Sequence, residues 1–160
     1  MRGDKGVIER LNQALKSELT AINQYFLHSR MLGDWGVSKL AKHEYDESIE
    51  EMQHADKIIE RILFLGGLPN LQELDKLYIG ETVQEILECD MKLEEMAVPM
   101  YREIVTYCES VKDYVTRDLV QSILVDEEGH VDFLETQFEM IKQMGIQNYI
   151  QMQSTPATAG

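Results

Sequence analysis

Apolar residues recur every three or four positions through four long windows of this chain, the spacing that lines one face of an α-helix. The first window, from about Asp4 to Gly33, carries the stripe Leu11, Leu15, Glu18, Ile22, Tyr25. Gly33 and Gly36 predict its end, and Ser38 is placed to cap a second helix with the stripe Leu40, Glu47, Glu51, His54, Ile58, Ile62, Leu65. That helix should close at Gly66-Gly67-Leu68-Pro69, after about 27 residues or ~40 Å. Thr82-x-x-Glu85 reads as a capping box for a third helix, bent at Pro99, which turns Leu87, Asp90, Glu94, Ala97, Tyr101, Ile104 and Cys108 inward. A fourth helix, from near Ser110 to Gly145, aligns Val120, Ile123, Glu127, His130, Leu134 and Ile141. A short helix near 146–152 and a polar tail follow.

The connections set the topology. Breaks near 34–37 and 109–112 are too short for anything but antiparallel neighbours, whereas residues 66–81 can extend roughly 50 Å and travel the length of a bundle. The expected fold is all-α: two antiparallel hairpins joined by one long crossover, the ferritin-like four-helix arrangement, with a short fifth helix at the C-terminal end. The expected division is one domain over 1–152 and a tail over 153–160.

Acidic and imidazole side chains interrupt these stripes in a repeated way. EEMQHAD at 50–56 and DEEGHVD at 126–132 each hold Glu-x-x-His, and an offset of 76 positions superimposes Glu51 on Glu127 and His54 on His130. The same offset pairs Glu18 with Glu94 and Tyr25 with Tyr101, so the bundle should carry an internal pseudo-two-fold. That axis would gather four carboxylates and two imidazoles in the core, an arrangement that two divalent cations neutralise. Glu and His one turn apart address one metal, and a Glu from each other helix completes the set. Such a donor set suits iron or manganese better than structural zinc, and iron is the favoured reading.

Charge narrows the partners. Twenty-nine acidic residues against 15 Lys and Arg give −14, which repels nucleic acid and attracts cations. Neither a signal-length apolar stretch nor an 18-residue apolar window occurs, so a soluble cytoplasmic protein without membrane contact is expected. Cys89 and Cys108 fall on one helix, ~28 Å apart, and cannot pair with each other. The lack of Cys-x-x-Cys counts against a rubrerythrin-like diiron oxidase or peroxidase, the main alternative function.

ELTAINQYFLH at 18–28, ESIEEMQHADKIIERILFLGGLPN at 47–70 and YVTRDLVQSILVDEEGHVDFLETQ at 114–137 resemble the bacterioferritin family, and the similarity runs over nearly the whole chain. The resemblance implies a ferroxidase centre of Glu18, Glu51, His54, Glu94, Glu127 and His130, with Glu51 and Glu127 bridging two irons. It also implies oxidation of Fe2+ by O2 or H2O2 and storage of ferric mineral in a hollow shell of 24 subunits built from two-fold dimers.

Met52 lies about 100° round the helix from the Glu51/His54 stripe, beside Tyr45, Ile49 and Ile59, and a matching outer stripe on the first helix holds Leu19, Asn23 and Phe26. On the residues alone it reads first as packing in a subunit interface. The resemblance makes it the axial ligand of a b-type haem shared by two subunits, with a small ferredoxin supplying electrons for iron release. Tyr25 and Tyr101 either hydrogen-bond the carboxylates, or supply an electron, or simply fill the core; the resemblance favours Tyr25 as part of the catalytic set. Asp90 and Asp126 are candidates to orient ligand imidazoles or to stay at the surface, and His28 and His43 are expected to be solvated. Some relatives carry His where this chain has Asp46, which leaves the inner-surface role of Asp46 and Glu50 open.

Overall fold

The computed structural model describes residues 1–156, and its regular secondary structure is helical throughout: α1 Lys5–Asp34, α2 Ser38–Phe64, α3 Val83–Ser110, α4 Tyr114–Met144 and α5 Ile146–Met152. The most extensive packing joins α1 to α2 and α3 to α4, with α1 meeting α3 and α2 meeting α4 across the bundle. The expected bundle of two hairpins is therefore present. No helix of the described residues is long and apolar enough to cross a membrane.

Side-chain caps explain three of the four long helix starts. Asp4 accepts from the Val7 N–H, Thr82 from the Glu85 N–H and Asp113 from the Thr116 N–H, each at 3.0–3.1 Å. Asp113 also accepts from Arg61 and from the Thr116 hydroxyl, which moves the start of α4 to Tyr114 rather than Ser110. Ser38 is not a cap: Val37 occupies the N-cap, and the Ser38 hydroxyl turns to Thr155 instead. The Lys39 N–H donates to Gln153 O at 2.9 Å, so the start of the tail lies against α2; residues 157–160 are outside the described region. α3 runs unbroken through Pro99.

Two apolar clusters fill the ends of the bundle. One is built from Leu11, Leu15, Ile58, Ile62, Ile104, Val120 and their neighbours, the other from Leu32, Leu40, Leu87, Leu134 and Tyr149. A belt of buried polar side chains separates them. Tyr149 brings α5 into this core, its hydroxyl donating to Gln137 at 2.7 Å.

The crossover, 66–81, has no helix of its own and draws its order from α1. Asn12 accepts the Asn70 N–H, Thr20 the Asp75 N–H, Gln24 the Tyr78 N–H and His28 the Gly80 N–H, at 2.8, 2.8, 3.0 and 3.1 Å. This polar ladder along one face of α1 satisfies backbone groups that an extended segment leaves unpaired. His28 is thus fully buried, contrary to the solvated position expected for it. At the end of the ladder the backbone passes so close to the first turn of α3 that a Cβ on Gly80 would lie 2.3 Å from Ile86 N. We expect Gly80→Ala to destabilise the protein by about 1–3 kcal/mol or more. A melting temperature unchanged from wild type would show that the crossover yields freely.

Candidate metal centre

Four helices each deliver one carboxylate to the middle of the belt. Glu18 comes from α1, Glu51 from α2, Glu94 from α3 and Glu127 from α4, and His54 and His130 follow one turn after the α2 and α4 acids. All six are buried. Their donor atoms form two groups, each within 4.8 Å: Glu18, Glu51, His54, Glu127, and Glu51, Glu94, Glu127, His130. The groups share Glu51 and Glu127. His54 Nδ1 lies 3.8 Å from Glu51 and 3.4 Å from Glu127, while His130 Nδ1 lies 3.3 Å from each. Glu18 approaches only His54, at 3.6 Å, and Glu94 only His130, at 3.4 Å.

At least one atom of every residue in this set, among them both Nδ1 atoms and also His130 Nε2, is buried without a hydrogen-bond partner. Orphaned donors and acceptors that face one another are poorly solvated by protein and well suited to cations. The donor set of carboxylates and imidazoles fits two hard or borderline divalent ions.

The outer shell is equally defined. Tyr101 donates to Glu18 and Tyr25 to Glu94, one tyrosine for each carboxylate that is not shared. His54 Nε2 meets Asp126 at 2.8 Å, the orienting role expected for that aspartate. His130 Nε2 meets Glu47, which no sequence reading had singled out. Glu50 sits between the two rings, 3.9 Å from His54 and 3.4 Å from His130, whereas Asp46 pairs with Lys42 on the surface. Asp90 is no partner of a ligand imidazole; it is buried against His28. His43 is not freely solvated either, since it stacks on Phe133 and pairs with Glu47 at 3.1 Å.

The ferritin-like domain pattern matches residues 8–144. A bacterioferritin of Rhodobacter capsulatus is 54% identical over 159 residues, covering 99% of both chains. Bacterioferritins of Brucella melitensis and Mycobacterium tuberculosis are 52% and 44% identical over 98% and 99% of this chain, and over 98% and 100% of their own. The chain belongs to the bacterioferritin family.

Burial and mutual charge favour protons on several groups of this bacterioferritin centre. Burial, reinforced by the charge of its neighbours, pushes the Glu51 and Glu94 carboxyls well above the ordinary glutamate value, and burial raises Glu18. Burial also opposes charge on the imidazoles, but hydrogen bonds to Glu127 and Glu18 outweigh it and raise His54 to about 10. His130 is raised likewise by Glu127 and Glu47. Glu127 moves the other way: against its burial, hydrogen bonds from Glu94, His130 and His54 keep it ionised. Glu47 is held below its ordinary value against burial by His130 and His43.

The outward Met52 is 52% exposed, flanked on the same face by part-buried Leu19, Ile49 and Ile59 and by the exposed Phe26 and Tyr45 rings. Those rings lie 6.3 Å apart, with Arg30 over both. A thioether projecting from an apolar stripe is of the kind that could hold a haem iron. Met31 is part-buried packing.

The raised acids and imidazoles give the metal-free protein a definite pH response. The folded state keeps protons that the unfolded chain releases, so stability falls as pH rises; Glu127 and Glu47, with lowered values, contribute fully above their ordinary range and add no slope there. Metal-stripped protein should melt at progressively lower temperature between about pH 5 and 9, with added Co2+ flattening the decline. A melting temperature that climbs over this range contradicts the assignment.

Proposed function

We propose that this chain is the subunit of an iron-storing shell that oxidises Fe2+ to Fe3+ with O2 or H2O2 and lays down the product as ferric mineral inside. The observation that carries the reading is the pair of buried donor groups with Glu51 and Glu127 in common. A carboxylate within reach of both imidazoles is placed to bridge two ions, leaving Glu18 and Glu94 as terminal ligands. Two ferrous ions so held supply the two electrons needed by O2 or peroxide.

The protein's own contribution is positioning and proton handling. Tyr101 and Tyr25 anchor the terminal carboxylates, each of which keeps its second oxygen buried and without a partner. Asp126 takes the His54 Nε2 hydrogen and Glu47 lies against His130 Nε2, which turns both Nδ1 atoms inward and favours them as ligands. Cation entry must displace the protons held on Glu18, Glu51, Glu94 and the imidazoles. Asp126, 45% exposed, and Glu50, 36% exposed, connect the site to solvent and offer acceptors on that path. Tyr25, hydrogen-bonded to Glu94, belongs to the catalytic set as a residue one bond from a ligand.

The outer face completes the reading. The Met52 stripe would be covered in an isologous dimer, where the thioethers of two Met52 side chains would hold a b-type haem. That haem supplies one-electron transfer, and a small ferredoxin is the fitting donor for reductive release of iron.

Glu127→Ala should abolish rapid ferric absorbance, which in wild type saturates near two irons per subunit. Equal rates in both proteins would dismiss the site. Met52→Leu should remove the haem absorbance while leaving assembly and Fe2+ oxidation intact. Retained haem in that variant would place the ligand elsewhere.

A further inference from the structure

Three fully buried polar side chains play no part in the proposed reaction as described: His28 on α1, Glu44 on α2 and Asp90 on α3. They lie between the carboxylate ring and the cluster around Tyr149. The offset that pairs Glu51 with Glu127 pairs them with Ile104, Val120 and Ala14, all members of the apolar core at the other end. The same level of the bundle is thus filled by aliphatic side chains in its pseudo-symmetric half. Packing does not require a polar trio.

Hydrogen bonds locate the protons. Gly80 N–H donates to His28 Nε2, so the neutral imidazole carries its hydrogen on Nδ1, 2.8 Å from Asp90 Oδ1. Gln24 Nε2 donates to the same oxygen at 3.2 Å. Asp90 is therefore satisfied as an anion on one side. Its Oδ2 and Glu44 Oε2 are buried with no donor, and one donor atom from each of His28, Glu44 and Asp90 lies within 4.8 Å of the others. A single hydrogen on Glu44 provides what both oxygens lack. Burial and the charge of Asp90 push the Glu44 carboxyl well up, in the same sense.

We propose that Glu44 holds a proton, shared with Asp90, and delivers it to the metal centre when ferrous iron reduces dioxygen. The proposal rests on the ferroxidase reading. A cavity of about 10 Å³, room for one water molecule, lies between Glu44 and the ring, bordered by Tyr25, Glu47 and His130. Two Fe2+ and O2 with two H+ yield two Fe3+ and H2O2: each iron gives one electron, one O–O bond order is lost and two O–H bonds form. One of those protons leaves Glu44 Oε2 through the cavity. The ionised Glu44 beside Asp90 is a repelling pair, and it recovers its proton from solvent through the same cavity, where the part-exposed His43 lines the wall. Ile123 and Leu119 stand at the pseudo-symmetric positions of Glu47 and His43, so this route exists on one side only.

Glu44→Gln keeps the volume and a donor towards Asp90 but removes the transferable proton. In Co2+-loaded protein, where the ring carboxylates bind metal, wild type should show the infrared carbonyl band of a protonated carboxyl group, and the variant should lack it. Co2+ stoichiometry should be unchanged, while Fe2+ oxidation slows about tenfold or more. Glu44→Asp should restore the band and much of the rate, which a purely structural role would not do. No band in wild type, a band that survives in the variant, or an unchanged oxidation rate would each overturn the proposal. Wild type with the band but without rapid oxidation would remove the ferroxidase reading itself, and the delivery step with it.

Discussion

Four carboxylates converge on the dry middle of a helical bundle, and most of this structure can be understood as what makes that tolerable. Isolated charges there would be strongly destabilising. The ring is tolerated because Glu94 and Glu18 accept from Tyr25 and Tyr101, because the two imidazoles stand 3.3–3.4 Å from Glu127, and because protons on the raised carboxyls remove charge. A cation bound there would compete with protons for the same atoms, so its affinity would depend on pH.

The bundle's two halves are related by an approximate two-fold, and the departures from it are informative. Ligands and tyrosines obey the symmetry: Glu18 matches Glu94, and Tyr25 matches Tyr101. The residues one turn or more away do not. On one side Glu47, Glu44, Asp90 and His28 form polar contacts; on the other Ile123, Val120, Ala14 and Ile104 form plain core. The half built from aliphatic residues carries the packing, and the polar half adds hydrogen-bonded acids next to Tyr25.

A second asymmetry runs along α1. Its inward face contributes Glu18 and Tyr25 to the centre, and a neighbouring face holds the crossover through Asn12, Thr20, Gln24 and His28. Gln24 and His28 also reach Asp90 on α3, so the crossover, α1 and α3 are tied at one point. The face with Phe26 and Tyr45 remains outward with Met52.

Sequence alone determined the four long helices, their connectivity and the six residues at the centre, because each signal is local or strictly periodic. Inward stripes report which residues share a face, and the 76-position offset reports which stripes are equivalent. Such periodicity carries no information about what lies against the other faces. The crossover has no period, so its course along α1 was invisible, and His28 looked like a surface residue. Asp90 was legible as inward but not as the partner of His28, and Glu47 was legible as inward but not as the neighbour of His130 Nε2. His43 was misplaced for the same reason, since only the approach of Phe133 on α4 shelters it. Ser38 failed as a cap because capping depends on backbone angles set by the preceding turn, where Gly36 takes φ +82° and Val37 becomes the boundary. Tertiary structure decided these points because each depends on the distance between residues from different helices or from the crossover, and no one-dimensional pattern encodes that distance.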